Sequence, residues 1–450
     1  MDSSDTASAI VELDRRYLVH PYDPAGERVV IVGGNGCTVR DIDGREYLDA
    51  HAGAWLTQVG HGRRELADAA AAQMRELAHY TTYWEYTTLP AAKLAERLIE
   101  KAPSSLARVR YGSSGSECDD EALQIVRQFH RSRGATDRMV VLTLRGAYHG
   151  RSIADATLAG VGDSSLFIDG TVHQLTPPWP YHVELYHGNN VTDFCVRELE
   201  ETIDRIGAGR IAAMFGELVM GPAGMIAPPE DYWPRIIEVL HKHGILFVAD
   251  EVVTAFGRAG DWYASNIYGI EPDVMVLAKG IASGYMPLGA ILLSDEVAHE
   301  VASVDTGGSY GGHMTACAVG LANMDIIERE GLHEAARDRG AQLMAELAPL
   351  LDLPIVGDVH GKGLMLGVEL VCDKTTRKPL RSAGYGLCQR IRREAGILLG
   401  GRDNFFVIMP PLVISKEQVT QIATGLESVL AEFSHSAEVQ AELSALQLSS

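Results

Sequence analysis

Ile245-Leu-Phe-Val-Ala-Asp250-Glu-Val252 and Asp273-Val-Met-Val-Leu-Ala-Lys279-Gly280 decide how this chain folds. Each is an apolar run of strand length that ends on one charged side chain. Unbroken apolar runs read as strands buried on both faces, the habit of parallel sheets. Asp250 and Lys279 then fall at the C-terminal ends of two such strands. A lone carboxylate and a lone ammonium are costly to bury unless they meet a ligand.

Working outward, residues 105 to 295 alternate strand and helix. Strands are predicted at Ala107–Tyr111, Met139–Leu144, Ile211–Phe215, Ile245–Ala249, Val274–Leu277 and Ala290–Leu293. Helices between them include Asp120–Arg131 and Tyr232–His241. This alternation predicts an α/β fold with a mostly parallel sheet flanked by helices. Sheets of that kind bind ligands at the carboxyl ends of their strands. Upstream, residues 1–27 read as an irregular arm with a short helix. Short strands are expected at Val29–Ile31 and Cys37–Ile42, and helices at Leu66–Leu77 and Ala91–Ile99. From about residue 314 the character changes. Helices are expected at Thr315–Arg329 and Leu332–Leu351, strands near Gly363–Leu370 and Phe406–Met409, and closing helices at 383–395 and 416–433. The tail, 434–450, reads as a frayed helix. The expected division is an N-terminal arm with part of a small domain (1–60), a large domain (61–325) and a C-terminal small domain (326–450).

Composition narrows the class. A chain of 450 residues, 46% hydrophobic with 46 glycines, suits a compact α/β protein of about two or three domains. The formal charge of −21 argues against nucleic acid, which needs basic clusters. No apolar run approaches the roughly 18 residues of a membrane span. The acidic, polar start does not read as a signal peptide. Six scattered cysteines without a CxxC read as reduced thiols. A cytoplasmic protein is the expectation.

Four motifs carry chemistry. Gly112-Ser-Ser114-Gly115-Ser116 follows a strand and precedes a helix whose Ala122, Val126 and Phe129 share one face. Free backbone N–H groups at a helix start bind anions, and Ser114 and Ser116 add donors. Ser-Gly-Ser before a helix also reads as an ordinary N-cap. Gly146-Ala-Tyr148-His149-Gly150 places an aromatic and an imidazole on the ligand edge. Tyr148 suits stacking on a flat heterocycle, and His149 suits packing behind it or proton transfer. Asp250 and Lys279 form the third motif, with Val252 pointing the same way as Asp250. Pyridoxal phosphate (PLP) wants both charges: its aldehyde takes a lysine and its ring nitrogen an aspartate. A snorkelling lysine and a salt-bridged aspartate are the plainer reading. Thr306-Gly-Gly-Ser309-Tyr310-Gly-Gly-His313 could bring a hydroxyl to a phosphate, or be a flexible loop. His241-x-His243 has metal-pair spacing but no third ligand nearby, so no metal is expected.

In order, Ser114-Gly-Ser116, Tyr148-His-Gly150, Asp250-Glu-Val252 with Phe256-Gly-Arg258, and Ala278-Lys-Gly280 resemble the class III aminotransferases, PLP enzymes of fold type I. The resemblance runs from about residue 28 to 433. It implies a seven-stranded-type, mostly parallel sheet and a homodimer with active sites shared across the interface. It implies Lys279 and Asp250 as catalytic residues. It implies a cofactor held by Ser114, Gly115, Ser116, Tyr148, His149, Glu217, Val252 and, across the interface, Ser309. Glu217 would lie near the cofactor's phenolic side. Trp55 looks like the residue that walls the substrate pocket in the ω-amine branch, and Tyr83-Trp84 like the aromatic stretch beside it. The implied reaction moves an amine to a keto acid such as pyruvate or 2-oxoglutarate. Relatives that decarboxylate, epimerise or shift an amino group share these motifs, and a non-catalytic module on the same fold is a more distant alternative. Two departures matter. Pro222 stands where many members have a glutamate, and Gly400 where the branch has a carboxylate-binding arginine. The nearest arginine, Arg402, stands two positions away: either it recognises a substrate carboxylate from a shifted loop, or that recognition is weak. An amine donor without an α-carboxylate is the resulting expectation.

Overall fold

The computed structural model describes residues 6–21, 28–160, 170–302, 306–381 and 383–447. A seven-stranded sheet forms its centre. Its strands run in the order Leu106–Gly112, Gly289–Ser294, Val274–Leu277, Leu246–Asp250, Ile211–Glu217, Val140–Leu144 and Val172–Leu175. The strands from Val274 to Val172 are mutually parallel. Gly289–Ser294 runs antiparallel to both its neighbours. Leu246–Asp250, Val274–Leu277 and Ile211–Glu217 are buried at every residue, as their apolar runs require.

Parallel register aligns the charged strand ends. Glu217 pairs with Asp250 across the ladder, and Asp250 with Val276. Two carboxylates therefore stand side by side at one edge of the sheet, with Lys279 on the turn that follows Leu277.

Two smaller sheets flank this core. One joins Ile31–Asn35, Thr38–Asp41 and Glu46–Asp49 with Ile397–Leu398, so distant parts of the chain share one ladder. The other contains Val356–Lys362, Met365–Asp373, Phe405–Ile408 and Gly400–Arg402, with Lys378–Pro379 paired to Met365–Asp373. Arg258, from Phe256-Gly-Arg258, ties them to the centre. Its fully buried guanidinium donates to Leu364 O at 3.1 Å, Pro410 O at 2.6 Å and Gln58 Oε1 at 2.6 Å. Burial drives that guanidinium down to about 9.

Several boundaries differ from those read in the sequence. The helix expected at Asp120 begins at Gly115, because Ser114 caps it by accepting from Glu117 N at 3.2 Å. Leu332–Leu351 is an α-helix to Leu347 and a 3₁₀ turn beyond. The strands Val172–Leu175 and Val356–Lys362 and the helix Val191–Ile206 were not among those expected. The arm holds a helix at Ala7–Tyr17 and the tail one at Ala437–Gln447; residues 1–5, 22–27 and 448–450 of those segments lie outside the described residues.

Candidate active site

The strand ends open onto a cavity of about 400 Å³. Ser113, Ser114, Gly115 and Ser116 line it at the helix start, Tyr148 and His149 from the next loop, and Glu217, Asp250, Val252 and Lys279 from the sheet edge. Most of the cofactor residues implied by the sequence therefore converge on one space.

Asp250 is held from two sides. His149 Nδ1 lies 2.7 Å from its Oδ2, and Val252 N–H donates to its Oδ1 at 3.0 Å. His149 is buried, with its ring edge-on to Phe215 at 5.8 Å. Burial opposes charge on this imidazole, but the Asp250 carboxylate outweighs it and pushes the group up. His149 thus sits behind Asp250 as its support. Its Nε2 is buried without a hydrogen-bond partner among the described residues.

Glu217 accepts from Tyr148 N–H at 2.8 Å and from Gly221 N–H at 3.0 Å. It pins the Tyr148 loop to the sheet. Burial, reinforced by neighbouring Asp250, pushes its carboxyl up to about 7.

Lys279 has φ of +40°, a strained value for a residue with a side chain. The kink turns the lysine out of the strand line and toward the cavity. Its ammonium lies 5.9 Å from the Trp55 ring centroid. Burial lowers this amine, against Asp250, Glu217 and Asp119, which favour its charged form. A lowered amine is what a nucleophilic lysine needs.

The helix start supplies an anion cradle. A side chain at Gly115 would come within 3.1 Å of Val252 Cγ1, a tight approach that glycine avoids. A side chain at Gly150 would fall 2.4 Å from Ser116 Oγ. Ser116 Oγ accepts from Arg151 N–H at 3.0 Å and donates to the Asp155 carboxylate, which fixes the hydroxyl at the helix start. An aldehyde-reactive lysine, a fixed carboxylate and a hydroxyl-rich helix start fit PLP.

Other expected residues lie elsewhere. Ser309 is exposed and does not line this cavity. Its loop is tied to the outside of the same helix: Thr306 Oγ1 donates to Glu121 Oε1 at 2.8 Å. Tyr83 is partly exposed and Trp84 is 83% exposed; neither lines the cavity. Arg402 is exposed and paired with Asp403 at 3.0 Å. Gly400 has a steric reason to lack an arginine, since any side chain there would meet His51 Cε1 at 2.4 Å. Trp55 is half-buried and donates to His51 Nδ1 at 3.2 Å. It ends a left-handed turn, with φ of +47° at Ala52, +68° at Ala54 and +72° at Trp55. Asp49 holds that turn, accepting from His51 N–H and Gly53 N–H at 3.0 Å each.

Ser113 and Asp119 line the cavity but were not singled out in the sequence. Asp119 had a signal: it precedes Ala122 by three positions, on the helix's apolar face.

The aminotransferase class-III family profile matches residues 22–430. The chain is 35% identical over 409 residues to putrescine–pyruvate aminotransferase of Pseudomonas aeruginosa, covering 88% of this chain and 89% of that protein. It is 35% identical over 417 residues to diaminobutyrate–2-oxoglutarate transaminase of Halomonas elongata, with coverage of 88% and 89%. Among solved structures, a PLP-bound amine transaminase from an uncultivated Pseudomonas species superposes with a TM-score of 0.88 at 38% identity, covering 92% of this chain and 98% of that one. An (S)-enantioselective ω-transaminase from Thermomicrobium roseum superposes with a TM-score of 0.90, also at 38% identity, covering 95% and 98%.

Proposed function

The chain belongs to the class III aminotransferases, and from that premise we propose that it moves the amino group of a donor lacking an α-carboxylate to a keto acid. PLP is its cofactor, and transamination of a primary amine is its reaction. One observation carries the choice of donor. Among the described residues lining the cavity, Lys279 is the sole lysine or arginine, while Asp119, Glu217 and Asp250 are acidic. A second carboxylate on the donor would find no arginine partner there. A terminal amine avoids that cost. The putrescine of the Pseudomonas aeruginosa relative is a donor of this kind.

When bound, PLP supplies an electron sink for the carbon that carries the amine. Lys279 is the covalent anchor. With the cofactor bound and the donor in place, the freed Lys279 Nζ would be the group to accept and return a proton at the donor carbon. Asp250 holds the proton on the ring nitrogen, and His149 holds Asp250. Tyr148 and Val252 confine the ring. Ser114, Gly115 and Ser116 bind the phosphate. Glu217 orients the Tyr148 loop through the Tyr148 N–H and would lie near the cofactor's phenolic side. Trp55 walls the donor side.

The same reading includes a homodimer in which Ser309 reaches the neighbouring subunit's phosphate site. Tyr80, Tyr83, Trp84, Tyr86, Leu89 and Tyr310 are exposed together with it, and exposed aromatic patches favour association. It also includes a large cofactor-binding domain at 61–325 and a small domain from both chain ends. No described helix is long and apolar enough to cross a membrane. Six free thiols support a reducing, cytoplasmic setting.

The test is a panel of mono- and diamines against pyruvate and 2-oxoglutarate, following amine in both products. Diamines and simple amines should outpace α-amino acids as donors. Preference for α-amino acids, or isotope loss from the donor carbon without amine transfer, would overturn the reading.

A further inference from the structure

The helix Gly115–Ser132 turns a carboxyl group into the base of the cavity. Asp119 is 1% exposed and lines that space. One side-chain polar atom each of Asp119, His149 and Asp250 lie within 4.8 Å of one another. Asp119 Oδ1 is buried and has no hydrogen-bond partner among the described residues. The groups that face it come from five elements. Asp250 ends one strand and Glu217 its neighbour. Asp155 comes from the helix Ile153–Ala159, Lys279 from the turn after Leu277, and His149 from the loop between.

Two ionised carboxylates this close, out of water, are strongly disfavoured. Burial, then Asp250 and Asp155, push the Asp119 carboxyl well above the usual carboxylate range. The Asp250 oxygens each have a second lone pair beyond those met by His149 and Val252. A cation among the three groups is the rival arrangement. Bound through His149 Nδ1, it would break the 2.7 Å contact with Asp250 Oδ2.

We propose that Asp119 is a positioning residue that stays protonated and donates a hydrogen bond to Asp250, so that Asp250 alone presents negative charge to the cofactor's ring nitrogen. No proton leaves the pair during turnover. Asp119 orients Asp250 and delocalises its charge from the helix side, as His149 does from the loop side. The inference rests on Asp250 as the ring-nitrogen partner.

The test uses the full-length protein, with and without PLP. Infrared difference spectra of wild type against Asp119→Asn at neutral pH read the protonated carboxyl directly. The acid carbonyl band should be present in wild type and reduced in the variant, in both forms. Asp119→Asn, which keeps an N–H donor, should bind PLP nearly as wild type does. Asp119→Leu, which keeps neither donor nor acceptor, should bind it about tenfold to a hundredfold more weakly, the size of a hydrogen bond to a charged group. An unchanged acid band, or equal PLP affinity in Asn and Leu variants, overturns the proposal. So does magnesium or zinc binding by the unloaded wild type that Asp119→Asn abolishes. Asp250→Ala separates the underlying reading: unimpaired PLP binding there removes the ring-nitrogen role, while the infrared band still decides the shared proton.

Discussion

The cofactor end of the site and its expected donor end are built differently. At the cofactor end, Asp250, His149 and Glu217 are buried, come from sheet edges or the loops touching them, and are bonded to one another or to backbone N–H groups. Of the residues expected to meet the donor, none of which lines the cavity, Trp55 stands on a left-handed turn, Trp84 is largely exposed, and Arg402 is turned to Asp403. The first end is fixed by the register of parallel strands. The second hangs on loops that tolerate change without disturbing the sheet. Chemistry and selectivity are thereby separated in the structure, and substitutions should respect that separation.

The largest effect should come from Lys279→Ala. Losing the anchor and the proton carrier together should cut turnover by about ten-thousand-fold, measured as product formed with the best donor. Asp250→Ala should follow. Removing one partner of a buried charge pair costs ~3–5 kcal/mol, or about a hundredfold to a few thousandfold in kcat/KM. If either variant merely shifts donor preference, the separation fails.

Arg258→Ala should act on stability. It leaves Leu364 and Pro410 carbonyls without this buried donor and should lower unfolding free energy by about 3 kcal/mol in denaturant titrations. Glu217 gives a smaller, pH-dependent effect. Its carboxyl rises from 4.5 to about 7 on folding, so the folded state keeps its proton over that window. Stability of the unloaded protein should therefore fall as pH rises from about 4.5 to 7. Glu217→Gln should flatten that slope. At the donor end, Trp55→Ala should change the ratio of kcat/KM between bulky and small amines, while Arg402→Ala should change kinetics by no more than about threefold. A large loss in Arg402→Ala would place a carboxylate site where the structure shows a surface ion pair.

The cofactor end was legible because parallel strands leave an unmistakable trace. Leu246–Asp250 and Val274–Leu277 are unbroken apolar runs, so a charged residue at the end stands out. The phosphate helix was placed five residues late because Gly115, Ser116 and Glu117 look like loop; the cap at Ser114 shows why they are helical. Asp119 was hidden in the run Glu117-Cys-Asp119-Asp-Glu121, which reads as a solvated acidic face until the helix phase is fixed. Val172–Leu175 and Val356–Lys362 escaped notice because His173, Gln174, Asp358 and His360 break the apolar pattern, and neighbouring strands supply what propensity does not. The donor end was least legible. Gly400 reads as a missing arginine in the sequence, but a side chain there would crowd the His51 ring, which comes from a remote segment.

Lys279 as the point of cofactor attachment is tested most directly by borohydride reduction of the PLP-loaded protein, proteolysis and mass mapping. The expected result is one phosphopyridoxyl adduct, on the peptide carrying Lys279, absent in Lys279→Ala. An adduct on another lysine, or none in a protein that binds PLP and turns over, would contradict it.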